Sequence, residues 1–424
     1  MKIKVNRIIG LFILLITISY TGIFAGYHGC MALICCFVIL FILGLFAKLA
    51  RINLKLCSPL WLLLFLYLCF NSLLNMPKSF LYLVLFSGGI LVMARVIDAK
   101  EIQCFVKLFK LTAIILAGSV LLQVYIPTVF YAFASRWFFY SNQYDMLLHL
   151  GIGCHQYSGL FYEVSFSALV LSLGCIICFV ECSINKSEWI KNSFFIAIMY
   201  YAVILTGKRS FMLIVPVLLM MFWLFNDYRN LDVMRVTAVF GFLLLLIWKS
   251  NAIFGLVSSV LTKGQGDTIQ LSSREQYWRL ALDMFTESRI WGKGINSFDI
   301  AFNRAGIKQV VLDFAGAHNS YIQLLAETGI IGALLYVAGI FSTVISGIKE
   351  IVFCYKHHKK NKMIYNSIAV LALLLIMMYG VTGNVLYQPQ QVFMIFLFLG
   401  MILNLKRMDE SDFMKKGKNK VVLT

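Results

Sequence analysis

The stretch GAHNSYIQLLAETGIIG, residues 316–332, begins as a polar loop and ends as the front of a long apolar segment. Asn319, Gln323 and Glu327 recur every four residues, so on a helix they form a polar stripe along one face. His318 stands at the head of that stripe. Polar side chains are costly where a helix enters a membrane unless they face protein, water or a ligand. The stretch therefore predicts a membrane helix whose entry forms one wall of a binding site.

The composition of the whole chain agrees with a membrane location. Of 424 residues, 61% are hydrophobic and 13% are charged, and the mean hydropathy is +0.84. A soluble domain contains about 25% charged residues. Apolar runs of about 17–25 residues, the length that crosses a bilayer as a helix, recur from end to end, whereas an outer-membrane barrel would show alternating runs of about ten residues. We therefore predict an all-α, polytopic integral membrane helical bundle with about 12 transmembrane helices.

The apolar runs also give the domain organisation. The spans that they predict are 8–25, 30–47, 58–76, 79–97, 107–126, 160–181, 190–206, 211–226, 233–250, 320–346, 364–384 and 386–404. We interpret the first run as an uncleaved span rather than a secretory signal, because it is longer than a usual signal core. Residues 1–424 are then a single membrane domain, and residues 251–319 form one large extracytoplasmic loop between the ninth and tenth spans.

The distribution of basic residues orients this bundle. Most of the 37 Lys and Arg residues lie on alternate connections, which the positive-inside rule places in the cytoplasm together with both termini. A basic inner face beside anionic lipid accounts for the net charge of +18, so nucleic acid is not an expected partner.

Three charged residues at the outer face depart from this pattern. Lys208 and Arg209 occupy a very short outer connection, and Glu163 lies at the outer mouth of the sixth span. Such exceptions favour a functional role. The structural alternatives are snorkelling of the two basic residues to lipid headgroups and an ion pair between Glu163 and a neighbouring arginine.

The long outer loop contains a further set of candidates. Ser272 and Glu275 have the spacing of a capping box, and the apolar residues that follow predict an amphipathic helix on the membrane surface or on the bundle. Arg274 and Arg279 would lie near the front of that helix. His318 beyond it is either a catalytic residue or only a capping residue of the next helix.

Five segments together carry a resemblance to a known family. They are GLFYEVSFSA (159–168), TGKRS (206–210), SSREQYW (272–278), GKGINSF (292–298) and HNSYIQLLAETGIIG (318–332). In this order, in a protein of many spans, they resemble the O-antigen polymerase and ligase superfamily. The chain departs from the family at Lys208, where a small residue is common, and at Val164, where proline is common.

The resemblance implies a glycosyltransferase-C-like fold in a bacterial plasma membrane and a transferase acting on undecaprenyl-pyrophosphate-linked oligosaccharide at its outer face. It implies catalytic roles for His318, Glu163, Arg209 and Arg274. Substrate binding would involve Lys208, Arg279, Asn319, Tyr321 and Glu327. A chain-length regulator and a flippase are expected partners, together with membrane lipid. No metal site and no cofactor are expected, because the sequence contains neither a phosphate-binding loop nor a cluster of metal ligands.

The chemistry of the leaving group assigns the roles. Negative charge grows on the departing pyrophosphate, and guanidinium groups, always charged, bind phosphate in a bidentate fork. We expect Arg209 and Arg274 to form this clamp, with Lys208 or Arg279 secondary. Histidine has the better intrinsic pKa for a general base, so His318 comes before Glu163. Glu327 would mainly order its helix.

Three functions remain open from the sequence. A polymerase would transfer the growing chain to a new lipid-linked repeat unit, and a ligase would transfer it to a lipid or protein acceptor. A transporter of the same lipid-linked unit would instead carry charges near the midplane in repeated halves. The candidate charges lie at the outer face and no repeat is visible, which disfavours the transporter. Of the two enzymes the polymerase is preferred. Direct displacement would invert the anomeric centre.

Overall fold

The computed structural model describes residues 53, 58–73, 78–137, 141–161, 163–185, 188–225, 268–305 and 316–414. Within these ranges the chain is helical and contains no β-sheet. The α-helices, in chain order, are α1 (Pro59–Ser72), α2 (Lys78–Ala94), α3 (Ala99–Tyr125), α4 (Pro127–Trp137), α5 (Ser141–Leu148), α6 (Val164–Ile184), α7 (Trp189–Leu205), α8 (Arg209–Phe225), α9 (Thr268–Glu287), α10 (Ser297–Arg304), α11 (Ser320–Lys356), α12 (Lys360–Tyr379), α13 (Pro389–Leu405) and α14 (Glu410–Met414).

The apolar runs correspond to helices wherever the structure describes them. Four helices, α3, α6, α11 and α12, are long and apolar enough to cross a membrane, and α1, α2, α7, α8 and α13 contain shorter apolar segments. The all-α membrane class is therefore confirmed. The predicted spans 8–25, 30–47 and 233–250 lie outside the described residues, so the number of twelve and the glycosyltransferase-C-like arrangement stay predictions.

The centre of the bundle is formed by α6 and α13, which are buried almost all round. A helix that is apolar on every face is expected in such a central position. Helix α6 packs against α3, α7, α8 and α12, while α13 packs against α2, α11 and α12. These two helices therefore connect the helices that pack on either side of them.

Two ends of the bundle can be distinguished by the contacts between helix termini. At the first end, which we call the site end, the start of α8 meets the end of α12 through Ser210 and Thr382, whose hydroxyl oxygens are 2.9 Å apart. Toward the opposite end, Lys110 in the first half of α3 pairs with Glu181 near the end of α6, with nitrogen and oxygen 2.6 Å apart. The helices thus run between two separate polar faces.

The outer loop differs in one detail from the sequence-based expectation. Helix α9 begins at Thr268, four residues before Ser272, so the capping box predicted at Ser272 is wrong. The predicted apolar face is confirmed, because Ala281 and Met284 are buried against Phe298 and Phe302 of α10. Helix α9 packs on α11 and therefore lies on the bundle. Residues 251–267 and 306–315 of the predicted loop lie outside the described residues, and its extracytoplasmic position stays a prediction.

Candidate functional site

The connection between α12 and α13, residues 380–388, organises the site end. Ser320, the first residue of α11, donates its backbone N–H to the carbonyl oxygens of Gly380 and Gly383, at 2.9 and 3.1 Å. Its hydroxyl also donates to the carbonyl oxygen of Gly383, at 2.8 Å. Tyr321 donates its hydroxyl to the carbonyl oxygen of Met377, at 2.6 Å. The start of α11 is therefore fixed on this turn.

His318 is held in a strained position directly before α11. Its φ of 52° lies in the left-handed region, which a non-glycine residue adopts at an energetic cost. The flanking residue Ala317 is bound on both sides: its carbonyl accepts from the Trp278 indole at 2.9 Å, and its N–H donates to Gln323 at 3.0 Å. The ring of His318 is stacked on Tyr277, with centroids 6.0 Å apart. Strain maintained in this way is typical of functional residues.

Arg274 lies on the face of α9 that points to the bundle. It is one turn before Tyr277, the residue that stacks on His318. It is half-buried, and burial lowers the pKa of its guanidinium, while the nearby Tyr379 acts in the opposite direction. A guanidinium pKa starts so high that the group stays charged at neutral pH. Arg274 forms no ion pair with a carboxylate in the part of the chain that the structure describes.

Arg279 does not join this group, so its predicted role in substrate binding is revised. Arg279 lies five positions after Arg274, so its side chain is rotated about 140° around the helix axis from that of Arg274. Its side chain is 74% exposed and pairs with Glu275 on the solvent side of α9. The structure therefore places Arg274 and Arg279 on different faces of α9, although the sequence predicted both near its front end.

Glu163 precedes α6 and faces α13. Its Oε1 accepts a hydrogen bond from Gln388 at 3.3 Å, and Gln388 in turn accepts from Gln391. The second oxygen, Oε2, is buried and has no hydrogen-bond partner among the described residues. Glu163 and Arg274 both interact electrostatically with Tyr379. A buried carboxylate oxygen without a donor is rare in folded proteins and marks a position where a ligand could bind.

Lys208 and Arg209 lie at the start of α8, and both are half-buried. The next two residues connect this start to the same region: Ser210 contacts Thr382, and the Phe211 ring lies 4.5 Å from the Tyr379 ring, centroid to centroid. Tyr379 is thus next to the basic connection, to Arg274 and to Glu163. The structure brings these three predicted elements together around one tyrosine.

Glu327 has a structural position, and its predicted role in substrate binding is revised. It is fully buried, and its carboxylate accepts from the N–H groups of Asn296 and Phe298 at 2.9 and 3.1 Å. Gln323 adds a side-chain hydrogen bond at 3.3 Å. This carboxylate anchors the start of α10 to α11, which agrees with the expectation that it orders its helix.

The side-chain oxygen of Asn319 is also used in hydrogen bonds within the protein. Asn319 is the N-cap of α11, and its side-chain oxygen accepts from the N–H groups of Tyr321 and Ile322 at 3.0 and 3.2 Å. The polar stripe at the entry of α11 therefore holds the loop that carries His318.

Two glycines allow the outer loop to lie directly on α11. Gly329 interrupts α11 with a φ of 62°, and a Cβ on it would lie 2.2 Å from the carbonyl oxygen of Ile290. Gly292, with a φ of 75°, would clash with the carbonyl oxygen of Glu327 at 2.3 Å. The N–H of Ile330, freed by the kink, donates to the carbonyl oxygen of Arg289 at 2.9 Å. The segments GKGINSF and HNSYIQLLAETGIIG are thus two parts of one contact.

The sequence analysis missed Tyr379 and the turn that follows it. The predicted spans 364–384 and 386–404 left almost no connection, whereas α12 ends at Tyr379 and α13 begins at Pro389. The available signal was the density of polar residues between two apolar runs: Thr382, Asn384, Gln388, Gln390 and Gln391. In the described residues, no group of three His, Cys, Asp or Glu side chains is placed to hold a metal ion.

The fold and the site define a multi-pass membrane protein with cationic, histidine and carboxylate side chains gathered at one end. Residues 194–337 match the family model described as O-antigen ligase. The match confirms the resemblance to the O-antigen polymerase and ligase superfamily, and it supports a glycosyltransferase-like enzyme of surface-polysaccharide assembly. It covers every candidate except Glu163. No curated protein matches the chain significantly.

Proposed function

We propose that this protein is a polymerase that joins undecaprenyl-pyrophosphate-linked oligosaccharide repeat units into a surface polysaccharide, such as an O-antigen, capsule or exopolysaccharide. The observation that carries this proposal is the gathering of Arg274, the start of α8 and Glu163 around Tyr379, with His318 stacked on Tyr277, one helical turn after Arg274. This arrangement offers cations to a pyrophosphate and acceptors to a sugar hydroxyl in one place.

The reaction follows from the charges of these groups. An acceptor hydroxyl oxygen forms a bond to the anomeric carbon, and the bond from that carbon to the pyrophosphate oxygen breaks. The electron pair leaves with the pyrophosphate, where Arg209 and Arg274 stabilise the growing negative charge, with Lys208 in support. His318 accepts the hydroxyl proton. A direct displacement of this kind inverts the anomeric centre, and the donor supplies its own leaving group, so the step proceeds without a metal or nucleotide.

Glu163 is proposed to orient the acceptor. Its unpartnered Oε2 is a hydrogen-bond acceptor fixed by the contact of Oε1 with Gln388. A sugar hydroxyl donating to it would be held in place while His318 takes the proton from the reacting hydroxyl. Tyr321, whose hydroxyl is bound to the carbonyl oxygen of Met377, supports the wall of the site rather than the sugar.

The site end is proposed to face outward from a bacterial plasma membrane, with both termini in the cytoplasm. The opposite end carries lysines on several helix termini, among them Lys100, Lys107, Lys191, Lys359 and Lys360. Basic residues flanking membrane helices remain on the cytoplasmic side. A flippase that delivers the lipid-linked units and a chain-length regulator are the proposed partners.

The second candidate is a ligase that transfers the chain to a lipid or protein acceptor, and the description of the matching family model favours it. A transporter is less favoured, since in the described residues the buried ion pairs Arg95–Glu101 and Lys362–Glu350 are compensated and lie at the opposite end. Polymerase and ligase use the same donor chemistry and differ in the acceptor, so their products distinguish them.

The test is transfer by the purified full-length protein. It receives lipid-pyrophosphate repeat units from the same strain, with no other enzyme and no nucleotide sugar, and the products are separated on a gel. We expect a ladder of lengthened chains, which is lost in Arg209→Ala and Arg274→Ala. Arg304→Ala is the control, because this arginine is exposed at the end of α10.

Other products would contradict the proposal. A single transferred chain that appears only after addition of a core lipid or protein acceptor would identify a ligase. Movement of the lipid across vesicles without any transfer would identify a transporter. Equal loss in Arg304→Ala would mean that general charge, rather than the two chosen arginines, supports the reaction.

A further inference from the structure

A polar cleft of about 520 Å³ opens between α3, α6, α7 and α12 at the opposite end of the bundle. It is far from the candidate site along the helices, because α6 runs from Glu163 at the site end to Ile184 here, and α12 runs from Lys360 here to Tyr379 at the site end. Lysines dominate its charged lining: Lys107, Lys110 and Lys191, with Glu181 and Glu188. Three positive and two negative groups leave one positive charge.

Internal pairing shows which lining groups remain for a ligand. The ammonium of Lys110 is bound to Glu181 and to Oδ1 of Asn192, at 2.6 and 2.8 Å. Lys191 lies 3.6 Å from Glu188. Lys107 is exposed and has no carboxylate partner in the described ranges. The excess positive charge of the cleft is therefore that of Lys107.

Asn192 supplies an oriented donor in the same cleft. Its side chain is 1% exposed, and its Oδ1 is fixed by Lys110. Its Nδ2 is buried and has no hydrogen-bond partner among the residues that the structure describes. A buried amide donor is nearly always satisfied by protein, water or ligand. A group with acceptor oxygens and one negative charge would satisfy both Asn192 and Lys107.

The apolar surface beside the cleft indicates how such a group arrives. Leu111 and Ile115 of α3 are 51% and 54% exposed, and Ile190 and Phe194 of α7 are 69% and 62% exposed. They lie beside the cleft on the same two helices, since Leu111 belongs to its lining and Ile190 and Phe194 adjoin the lining residues Lys191 and Phe195. Trp189 at the start of α7 is 56% exposed, a position that tryptophan favours at the boundary between lipid and water. Acyl chains would cover these side chains while a headgroup occupies the cleft.

We propose that the cleft binds the phosphate of a monoanionic phospholipid from the leaflet at the opposite end, with Lys107 and the amide of Asn192 as its ligands. Basic pockets between membrane helices are suited to anionic headgroups. The site is separate from the transfer chemistry and does not depend on the proposed function.

The test measures lipid retention by the purified full-length protein in detergent, using native mass spectrometry. The probes are dioleoylphosphatidylglycerol, dioleoylphosphatidylcholine and glycerophosphoglycerol, which keeps the single phosphodiester charge of phosphatidylglycerol but has no acyl chains. We expect phosphatidylglycerol to be retained preferentially. Lys107→Ala should weaken its binding about five-fold, the effect of removing one lysine near an anionic membrane surface. Lys100→Ala is the matched control, since Lys100 is exposed on the same helix outside the cleft.

Asn192→Asp tests the donor separately. The substitution keeps an oxygen for Lys110 and replaces the amide donor with a negatively charged acceptor. It should therefore weaken the binding of phosphatidylglycerol more than Lys107→Ala does. Lys107→Ala remains decisive if Asn192→Asp does not fold, because Lys107 is exposed. Equal retention of the two lipids, an equal loss in Lys100→Ala, or binding of glycerophosphoglycerol as tight as that of phosphatidylglycerol would each overturn the proposal.

Discussion

Charged side chains are paired differently at the two ends of the bundle. At the opposite end, buried and half-buried cations lie against carboxylates: Arg95 is 2.5 Å from Glu101, and Lys362 is 2.6 Å from Glu350. At the site end, Arg274 is half-buried with no described carboxylate beside it, and Glu163 has an unpartnered oxygen. Both ends contain Arg, Lys and Glu, so composition alone does not distinguish them.

The difference indicates where paired charges stabilise the fold and where unpaired charges remain for the proposed transfer chemistry. Removing charges from water is costly, and a pair of opposite charges offsets part of that cost. Where a buried charge has no partner, this desolvation cost is not offset. Such positions occur more often at functional sites than elsewhere in a protein. The comparison predicts that substitutions at the site end reduce turnover, whereas substitutions at the opposite end reduce stability.

The largest effect is expected for His318→Ala. Loss of a general base costs about 10²–10⁴-fold in rate. Glu163→Gln keeps the oxygen that accepts from Gln388 and removes the charge, so an orienting residue should lose less than the base does. The measurement is chain growth per unit of folded protein for both variants. A larger loss in Glu163→Gln would assign the base to Glu163 and would leave His318 with a structural role, since the N-cap of α11 is Asn319.

A loss of about 10²–10³-fold is expected for Arg274→Ala, because fixed positive charge is removed from the place where the leaving group becomes negative. Arg279→Ala on the same helix should change the rate little, since Arg279 faces solvent and pairs with Glu275. Initial rates of the two variants at saturating donor give the comparison. Similar losses would mean that α9 contributes a general positive potential rather than one placed guanidinium.

At the opposite end, Glu350→Gln should reduce stability and leave the chemistry intact. It removes the charge partner of Lys362, whose side chain is only 3% exposed, and breaking such a pair costs about 3–5 kcal/mol. Glu188→Gln breaks an exposed pair with Lys191 and should cost under about 1 kcal/mol. Thermal unfolding in detergent measures both. A lower rate per folded molecule in Glu350→Gln would contradict the separation of the two ends.

The helices of the bundle could be predicted because each is coded locally. Spans such as 160–181 and 190–206 agree with α6 and α7 to within a few residues, since an apolar run of membrane length specifies its helix by itself. The turn after α12 was missed for the same reason. Val381, Val385 and Leu386 join the apolar runs on either side of it, so the predicted spans 364–384 and 386–404 absorbed the turn although polar residues stand in it.

The site could be predicted only in part, because partners distant in sequence decide whether a polar residue is occupied. Glu327 and Glu163 look alike in sequence, each a lone carboxylate in an apolar segment. Glu327 is satisfied by the N–H groups of Asn296 and Phe298, about thirty positions earlier in the chain. One carboxylate oxygen of Glu163 accepts from Gln388, and the other has no hydrogen-bond partner among the described residues. No local pattern distinguishes these outcomes.

The smallest effect is expected at Asn319, where a helix-capping role and a direct contact with the substrate predict different results. Asn319→Ala should lower the free energy of unfolding by about 1 kcal/mol, because two N–H groups at the start of α11 lose their acceptor. Activity should fall modestly as His318 loses its fixed neighbour. Asn319→Ser restores a capping oxygen and should recover both properties, since serine caps helices about as well as asparagine. If Asn319→Ser recovers stability but not activity, the amide of Asn319 contacts the substrate directly, and the polar stripe belongs to the chemistry of the site end as well as to its support.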